Sequence, residues 1–202
     1  MTHRGAEVAM PETASIEQSR GRAVLGASAV LFSVLYVVSD LLEAAQGGFS
    51  SGQLWLTLVA EAAIPPVVVG LYLAQRPRIA RSALIPAVAY AYAYVYFTGT
   101  VVYALVEGTP DYATLSEELG VWMTVHGVIM FIAGVWFGAA VARAAVLSRW
   151  TGIALALGVT LVVATQGAPE GLQLVAAAVR ALGIAGMGVG VLLGARAPRA
   201  TA

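Results

Sequence analysis

Six long apolar stretches, separated by short polar segments, run through most of the chain. They lie at about residues 23–45, 53–74, 83–106, 120–141, 150–166 and 171–195. As α-helices rising about 1.5 Å per residue, they are predicted to cross about 30 Å of hydrocarbon, and the stretch at 150–166 is the shortest of the six. The pattern therefore predicts an all-α, polytopic membrane bundle of about six transmembrane helices.

The basic residues mark one side of this predicted bundle. Ten of the eleven lie before the first span, between the second and third, between the fourth and fifth, or after the sixth: Arg4, Arg20, Arg22, Arg76, Arg78, Arg81, Arg143, Arg149, Arg196 and Arg199. The remaining connections carry acidic charges instead, at Glu107, Asp111, Glu117, Glu118 and Glu170. Because basic residues accumulate in cytoplasmic loops, both termini are predicted to be cytoplasmic. Polar tails at 1–21 and 197–202 then flank a transmembrane bundle at 22–196.

Composition excludes an ordinary water-soluble domain. The chain is 59% hydrophobic and only 11% charged, whereas soluble domains carry about 25% charged residues. It has no cysteine, which excludes disulfides and thiolate metal sites. Every basic residue is arginine, and the abundance of Ala, Gly and Val is typical of a GC-rich bacterial genome. The expected location is therefore a bacterial plasma membrane, as a multi-pass protein.

Five ionisable residues fall inside the predicted spans, where each costs about 2.5–3.5 kcal/mol to insert. Asp40 and Glu43 lie near the end of span one, Glu61 in span two, His126 in span four and Arg180 in span six. Because alternate spans run in opposite directions, all five are predicted to share one depth in the outer half of the membrane. Such groups normally face a partner or a wet cavity, so the pattern predicts a buried polar site.

Each of these residues also has a structural interpretation. Asp40 and Glu43 can reach the outer headgroups, and His126 can be a hydrogen-bonded packing residue. Arg180 can serve only to neutralise a carboxylate. We expect it to pair with Asp40 or Glu61, because an unpaired guanidinium is costly to bury.

Glu61 is the residue that a structural role explains least well. It lies too deep for its short side chain to reach the headgroups, and Pro65 and Pro66 follow it in mid-span. Proline cannot donate to the carbonyl four residues earlier, which for Pro65 is that of Glu61. The sequence predicts a kink with open backbone acceptors beside the carboxyl group, which is either a site or a purely structural bend.

Aromatic side chains are the candidate walls of such a site. A tyrosine-rich run in span three puts Tyr92, Tyr96 and Tyr103 on one helix face and Tyr90, Tyr94 and Phe97 on another. The candidate catalytic residues are Glu61, Asp40 and His126. The candidate substrate-binding residues are Tyr36, Glu43, Tyr96, Tyr103, Trp122 and Arg180.

Several other kinds of site have no signature in the sequence. The only histidines are His3 and His126, so no metal site is predicted, and no cofactor is expected. No basic patch indicates nucleic acid. Gly186 and Gly190 in span six have the small-xxx-small spacing of close helix packing, and this span is a candidate surface for a homo-oligomer. The expected partners are membrane lipids and a hydrophobic small molecule or lipid.

The chain resembles the small membrane-integral terpene cyclases of meroterpenoid pathways in size, span number and acidic-plus-aromatic chemistry. Asp40, Glu61, Tyr96 and Trp122 carry the resemblance. It implies a compact helical bundle in which an intramembrane acid protonates an isoprenoid substrate. Glu61 would then be the acid, with Asp40 or His126 as its partner, and aromatic faces would stabilise the carbocation.

Two other functions fit the same residues. A proton-coupled carrier or binding protein would use Glu61 and Arg180 as coupling groups and the Pro65–Pro66 pair as a gate. A structural subunit would use its polar residues only to join helices. Ala, Val and Gly dominate the inner half of the spans, which predicts a blind pocket rather than a conduit and favours an enzyme.

Overall fold

The computed structural model describes the backbone of residues 12–196 and the side chains of residues 16–194. Within that stretch every regular element is a helix. The α-helices are α1 (Glu12–Gln46), α2 (Ser51–Ala74), α3 (Leu84–Glu107), α4 (Tyr112–Leu119), α5 (Val121–Ala144), α6 (Arg149–Ala164) and α7 (Glu170–Arg196). Of the predicted tails, 1–11 and 197–202 lie outside the described residues, and 12–21 already belongs to α1.

The all-α prediction is confirmed, and the predicted spans coincide with long helices. In the described part of the chain, α1, α2, α3, α5 and α7 are long and apolar enough to cross a membrane, which is consistent with a multi-pass membrane protein. Helix α6 is apolar but has only 16 residues. At about 1.5 Å per residue it is roughly 24 Å long, less than the ~30 Å of a hydrocarbon core. The sixth span and the orientation therefore stay predictions.

Helix α4 lies where the sequence predicted only a connecting loop. Asp111 precedes it, and the carboxylate accepts a hydrogen bond from the backbone N–H of Thr114 at an O–N distance of 2.7 Å. This bond holds the pKa of Asp111 below its usual value, because it stabilises the charged form. Gly108 (φ 69°) ends α3, and Gly120 (φ 53°) separates α4 from α5. Left-handed backbone at these two positions favours glycine.

The six helices other than α4, which we call the ring helices, form a closed ring in chain order. Helix α1 packs on α2, α2 on α3, α3 on α5, α5 on α6 and α6 on α7, and α7 returns to α1. The two ends of the ring differ in charge. We call the end with connections 75–83 and 145–148 the arginine end, and the end with connections 47–50, 108–120 and 165–169 the acidic end.

A dense apolar core fills the half of the ring toward the arginine end. Its buried side chains include Val68, Leu71, Tyr90, Tyr94, Phe137, Met187 and Val191. The rings of Tyr90 and Tyr94 meet edge to face, with centroids 5.2 Å apart. This packing closes the centre of the ring from the arginine end.

Glycines let α6 approach α7 closely near the middle of their lengths. A Cβ atom at Gly158 would collide with the backbone of Arg180, and one at Gly183 would collide with the backbone of Leu155. Gly188 packs in the same way against α1. The predicted close packing of this glycine run therefore occurs within the chain, and its use in a homo-oligomer stays a prediction.

Candidate functional site

A cavity of about 300 Å³ occupies the half of the ring toward the acidic end. All six ring helices and α4 contribute side chains to it. Its apolar wall includes Leu54, Phe97, Met130, Phe131 and Val159. Its charged residues are Asp40, Glu43, Glu61, Glu170 and Arg180. Four of the five ionisable residues predicted to share one layer thus face a common space, and His126 does not.

Glu61 lies at the deep end of this cavity. Only 4% of its surface is exposed, and Oε1 accepts a hydrogen bond from the hydroxyl of Tyr36 at 3.0 Å. Within the described part of the chain, Oε2 is buried and has no hydrogen-bond partner. A buried polar atom left in this state costs about 1–3 kcal/mol. A molecule in the cavity that bonded to Oε2 would recover that cost.

The prolines after Glu61 lie inside a continuous helix. Helix α2 runs from Ser51 to Ala74 through both Pro65 and Pro66. Because neither proline has an N–H, the carbonyls of Glu61 and Ala62 lose the helical donor four residues later. The open backbone acceptors predicted beside the carboxyl group therefore come from the loss of two backbone hydrogen bonds, and the helix continues through both prolines.

Arg180 also faces the cavity, but its neighbours differ from the prediction. Its guanidinium carbon lies 4.9 Å from the centroid of the Tyr36 ring and 6.0 Å from that of Tyr94. The expected direct ion pair with Asp40 or Glu61 is not formed among the described side chains. Two aromatic faces hold the cation instead, an arrangement stabilised by the ring quadrupole. The close approach of α6 at Gly158 fixes the backbone of Arg180 at this level.

A polar network between α1 and α2 was missed by sequence reasoning. The side-chain amide of Gln53 donates to Thr57 Oγ1 at 3.0 Å and to Ser39 Oγ at 3.1 Å, and the hydroxyls of Ser39 and Thr57 bond to each other. The same amide also donates to Glu43 Oε2 at 3.4 Å. The available signal was spacing, because Ser39 and Glu43, like Gln53 and Thr57, are four residues apart on one helix face. Glu43 is thereby tied to α2 at the rim of the cavity.

His126 lies in a separate aromatic cluster between α3 and α5. Its Nδ1–H donates to the carbonyl of Trp122 at 2.8 Å, so Nε2 accepts from the hydroxyl of Tyr92 at 3.0 Å. The imidazole stacks on the Tyr96 ring, with centroids 3.5 Å apart and planes within 4°. Both ring nitrogens are therefore satisfied, which matches the structural interpretation of a hydrogen-bonded packing residue.

Three predicted substrate-binding aromatics likewise lie away from the cavity. Trp122 is 63% exposed and Tyr103 is 36% exposed, both on the outside of the ring. Tyr96 belongs to the cluster around His126 rather than to the cavity wall. Of the predicted set, the structure brings together Tyr36, Asp40, Glu43, Glu61 and Arg180.

Helix α4 forms part of the roof of the cavity. Tyr112 and Leu115 line it, and Leu115 is buried against Leu54 and Val101. The connection between α1 and α2 meets the base of α4, because the N–H of Phe49 donates to the carbonyl of Pro110 at 2.7 Å. The roof thus rests on α2 and α3 through a small apolar cluster.

A molecule bound in this cavity could contact a carboxyl oxygen that lacks a described partner, a guanidinium group and an apolar wall. The apolar core closes the cavity on the side of the arginine end. In the part of the chain that the structure describes, no three His, Asp or Glu residues are placed to hold a metal ion. No protein-family model, no curated protein and no solved structure matches the chain.

Proposed function

We propose that the chain is a six-span protein of a bacterial plasma membrane, with its arginine end in the cytoplasm. The sorting of the arginines supports this orientation. Helix α6 serves as the sixth span because it closes the ring between α5 and α7. The cavity then lies in the outer half of the membrane.

Within this frame the protein is an enzyme that acts on a lipid-like, isoprenoid molecule by proton transfer from Glu61. The observation that supports this proposal most is the state of the Glu61 carboxyl group. Tyr36 donates a hydrogen bond to one oxygen, and the other is buried at the deep end of the cavity with no partner among the side chains and backbone that the structure describes. A carboxyl group oriented in this way presents one oxygen to a bound molecule in a site that excludes bulk water.

The proposed reaction is an isomerisation, in which substrate and product have the same elemental formula. The carboxylic acid of Glu61 gives its proton to a carbon–carbon double bond or an epoxide oxygen, and the electrons of a second double bond attack the resulting cation to form a carbon–carbon bond. A proton then leaves the product cation and returns to the Glu61 carboxylate. Phe97 and Phe131 line the cavity, and aromatic rings next to such a cation would stabilise it.

A carrier function receives less support from the packing. The core around Tyr90, Tyr94 and Phe137 is buried and separates the cavity from the arginine end. A carrier needs a path on that side in at least one state, whereas an enzyme with a blind cavity does not. We therefore place Glu61 in catalysis rather than in coupled transport.

Deuterium transfer from solvent tests this proposal. Membranes containing the protein are incubated in D₂O with farnesyl or geranylgeranyl alkenes and epoxides, and products are analysed by mass spectrometry. From the alkenes we expect a cyclised isomer that contains one carbon-bound deuterium. From the epoxides we expect a cyclised alcohol whose deuterium, bound to oxygen, exchanges again in H₂O. Glu61→Gln should keep the fold and abolish these products, because the amide has no proton to transfer. Glu107→Gln, at the exposed end of α3, is the matched control and should behave as wild type.

Two results would count against the proposed chemistry. One is the absence of any deuterated isomer from the wild-type protein with these substrates. The other is an unchanged product yield from Glu61→Gln, which would show that the proton comes from elsewhere.

A further inference from the structure

Two side chains of opposite charge face the cavity, and neither forms a direct ion pair with another described residue. Arg180 is only 8% exposed and rests on aromatic faces rather than on a carboxylate. Asp40 faces the same space, and none of its side-chain oxygens takes part in a hydrogen bond within the described part of the chain. An opposite pair that shares a cavity without contact leaves room for a molecule between its members.

The spacing of the two groups is set by helix α1. Arg180 lies over the ring of Tyr36, and Asp40 follows Tyr36 by four residues, about one turn or 6 Å along the axis. The cation is therefore at the deep level, and the carboxylate lies one turn nearer the acidic end. An axial separation of about 6 Å between the cation and the carboxylate leaves space for a compact head group whose two charged groups are attached to neighbouring carbon atoms or to one carbon atom.

We propose that Arg180 and Asp40 bind the two ends of a zwitterionic head group. An anionic oxygen of the ligand bonds to Arg180, and its ammonium group bonds to Asp40. The apolar remainder of the molecule lies along Met130, Phe131 and Val159, within reach of Glu61. This inference rests on the ligand cavity of the proposed function, and it is independent of the proton transfer.

The charge balance of the cavity argues against a singly charged ligand. Four carboxyl groups and one guanidinium line it, so a purely anionic ligand meets Asp40, Glu43 and Glu170 on its way to Arg180. A purely cationic ligand is attracted by those acids but leaves the buried guanidinium unpaired. A zwitterion satisfies both groups and adds no net charge.

Four ten-carbon probes test the head group directly. They are 2-aminodecanoic acid, decanoate, decylamine and decan-1-ol, which share one chain and differ in charge. Binding to the full-length protein in lipid nanodiscs at neutral pH is measured by calorimetry. Each charge-assisted bond should contribute about tenfold, so we expect the zwitterion to bind about tenfold more tightly than either singly charged probe.

Two glycine variants identify binding inside the cavity. Gly127 lines the cavity with open space beside it, so Gly127→Leu should fill part of the space without disturbing the helix packing. Gly99 has equally open surroundings and does not line the cavity, so Gly99→Leu is the matched control. Only binding lost in the first variant and kept in the second is counted.

Charge variants then assign the two ends. Arg180→Gln should weaken the zwitterion and decanoate by about tenfold and leave decylamine unaffected, and Asp40→Asn should weaken the zwitterion and decylamine instead. Arg180→Lys keeps the cation if the glutamine variant does not fold, and it should retain the preference for the zwitterion.

The outcomes separate this inference from the proposed function. Cavity binding of all four probes with equal affinity would overturn the zwitterionic head group and leave the ligand cavity in place. Binding that Gly127→Leu does not affect would overturn both, because the cavity would then not be a ligand site.

Discussion

The cavity and the aromatic cluster around His126 lie in the same half of the ring, but the His126 side chain is bonded differently from the charged side chains of the cavity. In the cluster, both imidazole nitrogens are hydrogen-bonded and the ring stacks on Tyr96. In the cavity, as far as the structure describes the chain, Glu61 Oε2 has no hydrogen-bond partner and Arg180 makes no direct ion pair. The sequence placed all these residues at one depth, and only the structure separates them.

The difference shows which buried polar residues already have their partners within the chain. A satisfied group such as His126 contributes to packing and offers little to a ligand. An unsatisfied group costs free energy in the absence of a ligand, and that cost becomes affinity when a ligand bonds to it. The cavity is for this reason the better candidate for function, although the sequence also made His126 a candidate catalytic residue.

The largest expected effect on stability comes from disrupting the contact between α6 and α7 at Gly158. This contact holds the backbone of Arg180 in the cavity and does not involve the cluster around His126. Gly158→Leu places a side chain against the backbone of Arg180, so α6 and α7 must separate. Overpacking of this kind should lower the free energy of unfolding by about 3 kcal/mol. Unfolding in detergent measures it, with Gly99→Leu as the control in open space. Equal stability of the two variants would show that the seam at Gly158 is not tightly constrained.

A matched pair of tyrosines should show a smaller difference between the two regions. Tyr36 and Tyr92 each make a hydroxyl hydrogen bond of 3.0 Å, to Glu61 and His126 respectively. Tyr36→Phe leaves both oxygens of a buried carboxyl group without a donor and should cost about 2 kcal/mol. Tyr92→Phe removes a bond to one nitrogen of a neutral ring and leaves the other bond of His126 in place, so it should cost less, about 1 kcal/mol. Losses of the same size in unfolding experiments would contradict the contrast between the regions.

The smallest expected effect concerns the roof of the cavity and depends on pH. The folded pKa of Asp111 is lowered by its bond to the Thr114 N–H. The cap therefore stabilises α4 above the unfolded pKa of about 4 and loses this contribution as the pH falls through the folded pKa. Hydrogen exchange at the Thr114 amide, corrected for intrinsic rates, should show weaker protection in acid.

Asp111→Asn is the control for this pH effect. The amide oxygen still accepts the hydrogen bond but does not titrate, so protection of Thr114 should become independent of pH. A variant that loses protection in acid to the same extent as wild type would assign the effect to another group.

The positions of the helices could be predicted from the sequence, because an apolar run has a length and a clear end. The span predicted at 53–74 is Ser51–Ala74 in the structure, and that at 120–141 is Val121–Ala144. The location of Asp40, Glu61 and Arg180 in the half of the ring toward the acidic end was predictable for the same reason, since position along a helix follows from counting residues.

The direction of each side chain around its helix was not predictable in the same way. In a membrane protein the lipid-facing and ring-facing sides are both apolar, so the hydrophobic period does not mark the inner face. His126 and Trp122 were for this reason assigned to the site, although α5 turns them toward α3 and the outside. Helix α4 was missed because it has only eight residues, half of them polar, and the local signal was Asp111 as its cap.

The short length of α6 has a consequence for the surrounding lipid. On the proposed topology, this helix spans about 6 Å less than a typical hydrocarbon core, while its neighbours α5 and α7 span the full thickness. Lipid beside α6 must thin, or the protein must tilt, and either adjustment costs fractions of a kcal/mol per Å of mismatch. We therefore expect the protein to be more stable in bilayers of shorter acyl chains and to concentrate where the membrane is thin.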